Sequence, residues 1–392
     1  MRDLIPFLML ASIASAGTPL VSGINRFTTN SYQELSQSSG NLIFSSFNIA
    51  TSLSMALAGA HGATAAEMSK VLCQNPGAAY NTELNALIAE LLRDGNGNGN
   101  ELASANNVWV QQGFPVLPAF QQTMLDLFHA PSTPVDFRAN AEAARQEINR
   151  WTAERTKDRI QDLFPAGSLS PDTRMVLTSA IYFYGKWQSP FKPSETHTDS
   201  FQLEDGGKTD ARFMTQTAHF GYTETPAVQI LEMRYGGTPF AFDVLLPKQA
   251  GGLKSLEKSL TPENLGAWFQ GLENDPVEVY LPKFRAESSF ALAETLGRMG
   301  MPTVFTREAD FSGIDGRRDL FISGVLHKAF VDVSEAGTEA AAATGTTMRI
   351  AAVMRNPKKV VFRADHPFVF VIRDTKSGAI VFAGRLMKPN AT

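Results

Sequence analysis

The chain has 392 residues, of which 43% are hydrophobic and 19% charged, a composition that supports a sizeable folded core. Its net charge of −4 and its scattered basic residues give no electrostatic reason to expect nucleic acid or an anionic membrane as a partner. A single cysteine excludes an internal disulfide, so packing must supply the stability.

The N-terminal residues differ from the rest of the chain. Arg2 precedes an apolar run over 4–14, and Ala14-Ser15-Ala16 fits a small-x-small cleavage site. The run is too short to span a bilayer. We therefore expect a signal peptide over 1–16 and secretion of the protein. The alternative is an apolar helix retained in the fold, since Asp3 is atypical of a signal peptide. No Pro/Gly/Ser-rich linker divides 17–392, which we interpret as one domain.

The first half of the chain is predicted to be mainly helical. The residues over 49–60 are apolar almost all round, which indicates a core helix. Ala144, Ile148 and Trp151 recur at helical spacing and predict a helix that lies on a flat surface. The alternating Gly and Asn residues over 94–100 predict a solvated turn. The remaining predicted elements of this half are helices at 24–35 and 80–92 and short strands at 41–46 and 105–111.

Strands dominate the second half. The predicted strands are 174–187, two between 228 and 246, 277–282, 324–333, 359–364, 367–372 and 380–386, with one helix at 290–299. Helices and strands do not alternate regularly along the chain. This order predicts an α+β fold with mixed or antiparallel sheets rather than a doubly wound one.

More than twenty residues without helical periodicity separate Val333 from Lys359. A connection of that length in a compact domain is functional or disordered. As a strand, the segment would place Thr338, Ala340, Ala342, Thr344 and Thr346 on one face, and all of these residues are small. Between Val331 and Asn356 no proline interrupts a possible ladder. Composition alone leaves two interpretations open: an Ala/Thr-rich linker, or a loop able to enter a sheet.

Several motifs, in order along nearly the whole chain from about residue 22, resemble the serpin family. Glu335-Ala-Gly-Thr-Glu-Ala-Ala-Ala-Ala-Thr344 is similar to the family's hinge, and 365–372 with 378–385 is similar to its C-terminal signature. Three further motifs match: Tyr182-Phe-Tyr-Gly-Lys-Trp187 with Pro190-Phe191, Ala309-Asp-Phe-Ser-Gly313, and Leu326-His-Lys328. Each match alone is weak, but their order and spacing together are specific.

The resemblance implies three β-sheets, eight or nine helices and an exposed reactive loop over about 335–357, above a five-stranded sheet. It also implies a suicide-substrate mechanism: a serine peptidase cuts the loop, is held as an acyl-enzyme, and 337–350 inserts into the main sheet. The rival interpretation is a serpin-like carrier or chaperone that does not inhibit. The small residues of the hinge favour inhibition. The hinge residues are Glu335, Gly337, Thr338, Glu339, Ala340, Ala341, Ala342, Ala343 and Thr344.

The family's count places the scissile bond after the fourteenth residue beyond Gly337, at Ala351–Ala352. Counting back from Asn356-Pro357 gives Val353–Met354 instead. Both counts put a small apolar residue at the specificity position, which suits an elastase- or subtilisin-like enzyme. Cleavage after Arg349 or Arg355, which would suit a trypsin-like enzyme, is a minority hypothesis.

The family opens its main sheet around a polar cluster, and the resemblance assigns Ser45, Asn48, Ser179, His327 and Trp187 to that region. Ser179 stands where the family usually has asparagine, and Asn48 where it has serine. We therefore expect Asn48 to give His327 the amide hydrogen bond that Ser179 cannot reach. For His327 and Trp187, ordinary core packing is the alternative interpretation.

The histidines show neither i,i+4 pairs nor neighbouring ligands at metal spacing, and no Gly-x-Ser-x-Gly elbow is present. We therefore predict an inhibitor rather than an enzyme, a monomer without metal or cofactor. Its expected partner is a serine peptidase in covalent complex, and cysteine peptidases remain open as a second class. Nucleic acid and membrane are not expected partners.

Overall fold

The computed structural model describes residues 18–75, 77–338 and 360–390. The helices are α1 Pro19–Leu35, α2 Ser46–Leu57, α3 Gly62–Val71, α4 Ala78–Asp94, α5 Pro118–Phe128, α6 Phe137–Arg155, α7 Leu253–Ser259, α8 Pro262–Gln270, α9 Ala293–Met299 and α10 Ser312–Asp315. The strands are β1 Leu42–Phe44, β2 Glu101–Gln111, β3 Thr133–Val135, β4 Met175–Lys186, β5 His197–Gln202, β6 Lys208–Glu224, β7 Val228–Arg234, β8 Phe240–Pro247, β9 Glu273–Pro282, β10 Phe284–Ala291, β11 Ile322–Ser334, β12 Gly337–Thr338, β13 Val360–Arg363, β14 Phe368–Asp374 and β15 Ile380–Leu386. None of the helices in these ranges is both long and apolar enough to cross a bilayer.

The smaller sheet has the strand order β10-β11-β12-β4-β2-β3. Five of these strands make the five-stranded sheet that the resemblance implies, and the sixth, β12, is the two-residue start of the hinge. β4 and β11 are parallel and pair directly over most of their lengths. The sheet is therefore mixed, as the order of helices and strands predicts.

The larger sheet has the order β1-β15-β14-β8-β7-β6-β9-β13, with β5 attached to β6. The resemblance implies three sheets, whereas the described strands form two. Two of the three expected sheets are continuous here, because the long strand β6 pairs with strands of both. Its first residues pair with β5, its middle with β9 and its last four with β7. A strand of 17 residues is long enough to cross from one part to the other.

The core lies between the two sheets, and α2 is enclosed within it. Every residue of α2 is buried, as its all-round apolar pattern predicts. Helix α6 covers the outer face of the smaller sheet, where Ala144 and Ile148 pack with Trp109 of β2. Trp151 meets the edge of Trp109 at 5.2 Å between ring centroids. The periodicity prediction for this helix is thus confirmed.

Two local predictions differ from the structure. The helix expected at 290–299 begins only at Ala293, because the residues before it form β10 and pair along β11. The 94–100 turn, predicted to be solvated, is held by hydrogen bonds to another turn. Asn98 donates a side-chain hydrogen bond to the carbonyl of Gly237 at 2.9 Å, and Asn100 donates one to that of Gly236 at 2.7 Å.

Candidate functional site

The candidate site is the place where β4 and β11 part. The two strands pair row by row from Met175 and Ile322 up to Tyr182 and Phe330. Beyond that row they diverge, and β12 lies between them. β12 runs antiparallel to both neighbours, so the chain turns back at the end of β11 and enters the space between the strands.

Gly337 is the first hinge residue in this opening. It pairs with Lys186 of β4 and Ser334 of β11, and its φ of +151° is a conformation that other residues rarely adopt. A Cβ atom at this position would lie 1.9 Å from the carbonyl oxygen of Gly185. Only glycine therefore allows the backbone to approach β4 this closely.

Thr338 follows in the next row, opposite Gly185 and Val333. Its side chain is buried and points toward the core, where Oγ1 lies 2.7 Å from the hydroxyl of Tyr235. Burial raises the pKa of Tyr235 well above its ordinary value, so this hydroxyl stays neutral and available for hydrogen bonding. The inward face at this row accepts a small polar side chain and has no room for a large or charged one.

Trp187 lies directly beside the hinge. Its indole Nε1 donates to the carbonyl of Ser334 at 2.9 Å, and its backbone N–H donates to that of Ala336 at 3.0 Å. The ring stacks on Tyr235 with centroids 4.7 Å apart. Trp187 thus supports the turn between β11 and β12 from below and lies apart from the other four residues assigned to the sheet-opening region.

Glu335 anchors the same turn from the other side. Its carboxylate accepts from Thr196 at 2.9 Å and pairs with Lys283 at 2.9 Å, while its carbonyl accepts from the backbone of Phe191 at 2.9 Å. Partial burial raises the pKa of Glu335, but the hydrogen bond from Lys283 and the other donors outweigh it and leave the pKa below its usual value. The carboxylate is therefore charged at neutral pH and fixes the start of the hinge.

A polar cluster lies lower in the sheet, where His327 of β11 pairs with Ser179 of β4. The imidazole Nδ1 donates to the carbonyl of Ser179 at 2.8 Å, and Nε2 accepts from the backbone of Ser45 at 2.9 Å. These contacts specify the neutral ring with its proton on Nδ1. Burial lowers the pKa of His327 to about 4, although the bond to Ser179 opposes the shift.

The structure brings Ser45, Asn48, Ser179 and His327 together, but the expected bond from Asn48 to His327 is wrong. The amide of Asn48 donates to Ser179 Oγ at 3.1 Å, and that same Oγ lies 3.0 Å from His327 Nδ1. Serine does reach the histidine, because the parallel pairing of β4 and β11 puts the two residues in one row. Asn48 acts one step further out, as the residue that orients Ser179.

Two members of the cluster were missed at the level of sequence. Ser104 and Asn106 of β2 donate to Asn48 Oδ1 at 2.6 and 2.8 Å. They stand two residues apart, so they share a face of a strand. Two polar side chains on one face of a strand in a buried sheet would have pointed to a buried polar partner.

The other assigned residues lie outside the described ranges. These are Glu339, Ala340, Ala341, Ala342, Ala343 and Thr344 of the hinge, and Ala351, Ala352, Val353 and Met354 at the two candidate scissile bonds. In the ranges that are described, no three His, Cys, Asp or Glu side chains are grouped to hold a metal ion.

Replacing Gly337 by alanine tests the close approach to β4. Alanine would bring Cβ against the Gly185 carbonyl and would adopt a positive φ, a strain of about 1–3 kcal/mol before the clash is counted. We expect a lower melting temperature by circular dichroism. Gly266→Ala in α8 is the control, since nothing lies within 4 Å of a Cβ there. Equal melting of Gly337→Ala and wild type would contradict the close approach.

His327 predicts a specific acid sensitivity. Its pKa is lowered from 6.5 to about 4, so the stability it supplies is present above about pH 6.5 and is lost as the pH falls toward 4. The full loss is about 3 kcal/mol. Urea titrations of wild type and His327→Gln should show a large stability difference at neutral pH that narrows in acid. A difference independent of pH would refute the assignment, because other titrating groups are common to both proteins.

Comparisons with known proteins cover almost the whole chain. A family model described as serpin (serine protease inhibitor) matches 22–389. An uncharacterised serpin-like protein of Thermococcus kodakarensis is 38% identical over 372 residues, which are 95% of this chain and 86% of that protein. Leukocyte elastase inhibitor A of Rattus norvegicus is 36% identical over 381 residues, 94% of this chain and 99% of that protein.

A solved structure agrees with these relatives. A highly specific serpin of the insect Tenebrio molitor matches with a TM-score of 0.84 at 32% identity, covering 95% of this chain and 98% of that one. The α+β serpin fold inferred from the sequence motifs is therefore confirmed. The chain belongs to the serpin family, a family of serine protease inhibitors rather than of enzymes.

Proposed function

We propose that this protein traps serine peptidases by inserting its cut loop between β4 and β11. One observation carries the proposal: the two strands part above Tyr182 and Phe330, and Gly337–Thr338 already lies between them in a regular register. An opening that admits two residues of a strand can admit more if the strands below separate. The hinge then acts as the leading end of a new central strand.

The register of β12 predicts where each further residue would lie in the inserted state. Gly337 faces Lys186 and Thr338 faces Gly185, so residues 339, 340 and 341 would follow opposite Tyr184, Phe183 and Tyr182. Even-numbered residues would point inward, as Thr338 does toward Tyr235. Ala340, Ala342 and Thr344 are small enough for that packed face.

Insertion supplies both the driving force and the displacement. If about fourteen residues gain ladder hydrogen bonds at about 0.5–1.5 kcal/mol each, the gain is on the order of 10 kcal/mol. A strand of that length spans about 45 Å, so a peptidase still joined to the loop is carried far from where it bound. By then the serine of the peptidase has formed an ester bond to the loop, the acyl-enzyme. Distortion of the peptidase prevents hydrolysis of this ester bond.

We infer an elastase- or subtilisin-like target. The forward count from Gly337 places the scissile bond at Ala351–Ala352, and the alternative count at Val353–Met354. We prefer the forward count, because the length that can insert is mechanically constrained. Similarity to a protein named leukocyte elastase inhibitor supports a peptidase with a shallow specificity pocket.

Incubation with pancreatic elastase tests the proposal. We expect an SDS-stable complex, a cut after Ala351 by mass spectrometry, and higher heat resistance of the nicked chain than of the intact one. Thr338→Arg should be cut without forming the complex, because the buried site beside Tyr235 cannot accept the charge. Thr338→Val, of similar size, is the matched control and should still inhibit.

Several results would count against this mechanism. Equal heat resistance of the nicked and intact chains would mean that no strand inserts. A stable complex with Thr338→Arg would show that entry at the hinge is not required. A cut after Arg349 or Arg355 would replace the elastase-like target with a trypsin-like one.

We further propose that the protein is exported. The proposal rests on the sequence pattern over 1–16, which lies outside the described residues. Expression of the full chain in a host with a secretory pathway, followed by N-terminal sequencing, should give a mature protein that begins at Gly17. Recovery inside the cell with Met1 or Arg2 at the N-terminus would refute export.

A further inference from the structure

Tyr182 and Phe330 form the last directly paired row before β4 and β11 part. Both side chains lie on the outer face of the smaller sheet, in the cluster that includes Ile160. Their rings stack, with centroids 5.2 Å apart and an interplanar angle of 25°. The two strands are therefore joined by an aromatic contact at the point where the opening begins.

Two guanidinium groups cover this aromatic pair. Arg159, just after α6, lies 5.5 Å from the centroid of Tyr182, and Arg285 of β10 lies 5.2 Å from that of Phe330. A cation over the face of a ring is attracted by the ring quadrupole. We call these four residues the aromatic clasp. It links β4 and β11 to β10 and to the segment that follows α6.

Lys328 strengthens the same connection on the same face of β11. Its ammonium group donates to the carbonyl of Gln161 at 3.1 Å and pairs with Glu287 of β10 at 3.1 Å. The segment that carries Arg159 is thus held to β11 two residues below Phe330 as well. These two contacts of Lys328 hold the segment after α6 and strand β10 in place beside the clasp.

Insertion must break the clasp. In the inserted register, residue 341 would lie between Tyr182 and Phe330. Neighbouring strands are about 4.8 Å apart, so a strand between them moves them to about 9.6 Å. Aromatic pairs interact at centroid distances of about 4.5–7 Å, so the stacking would be lost.

We propose that the aromatic clasp sets the rate at which β4 and β11 separate to admit the inserted strand. Tyr182 and Phe330 are positioning residues that keep the sheet closed until the loop is cut, and Arg159 and Arg285 reinforce them. The inference rests on the proposed function, since it concerns the step that follows cleavage.

A synthetic peptide that copies residues 339–350 probes opening without any peptidase. The peptide is mixed with intact protein, and the time course of conversion to a heat-resistant form gives the opening rate. Phe330→Leu and Tyr182→Leu keep apolar volume but remove stacking, and both should accelerate conversion about three- to tenfold. Tyr182→Phe keeps the stacking and should convert more slowly than Tyr182→Leu.

Matched controls separate opening from general stability. Phe370 stacks on Phe242 with similar geometry, 5.3 Å and 21°, but joins β14 to β8, which do not part. Phe370→Leu should lower the melting temperature without accelerating conversion. Arg159→Gln should accelerate conversion about two- to threefold. Arg155→Gln should not, because Arg155 lies 5.5 Å from Trp151 of its own helix and bridges no strands.

The outcomes distinguish the clasp from the inhibitory function. Equal rates in wild type, Phe330→Leu and Tyr182→Leu would overturn the clasp, as would equal acceleration in Phe370→Leu. Failure of the peptide to convert any variant would overturn both the clasp and the insertion register. Acceleration in Phe330→Leu, together with a wild type that forms no complex with peptidases, would support the clasp and refute the proposed trapping of peptidases.

Discussion

The structure depends on one incompletely closed pair of parallel strands. β4 and β11 satisfy each other over most of their length and then diverge, and within the described ranges Gly337 and Thr338 fill two rows of the opening. Backbone groups buried in a sheet need partners, so a gap there favours any segment that can fill it. The glycine at 337, the small side chain at 338 and the core helix α2 beneath the sheet are all consistent with this single requirement.

The strands are held together differently on their two faces. On the inner face His327 and Ser179 hydrogen-bond within one row, supported by Asn48 and Ser45. On the outer face Tyr182 and Phe330 stack three rows higher. The hydrogen-bonded row is specific in geometry, and the stacked row is less directional. Separation from the hinge downward therefore meets the stacked aromatic row before the polar one.

The sequence predicts those features that depend on local patterns. The Ala144 and Ile148 spacing predicts α6, and the resemblance of 335–344 to the serpin hinge predicts a hinge after the strand that ends near Val333. Contacts between distant segments were not predictable in this way. The bond of Asn98 to Gly237 and the pairing of Glu335 with Lys283 join residues whose proximity only the fold establishes. Asn48 was predicted in the right cluster but with the wrong partner. Its amide bonds to Ser179 and not to His327, and a difference of a few ångströms between two neighbouring acceptors cannot be determined from the sequence.

The contacts that hold Glu335 also set the register of the strand that would insert. Three contacts from two segments hold this residue: Thr196 and the backbone of Phe191 in the β4–β5 connection, and Lys283 just before β10. The turn before Gly337 is therefore fixed in place. The row that each inserted residue occupies is therefore set by its number of residues from this fixed turn. Adding or deleting one residue beyond the hinge would shift every later side chain to the opposite face of the sheet. The ion pair of Glu335 with Lys283 therefore helps to determine which face each inserted residue presents.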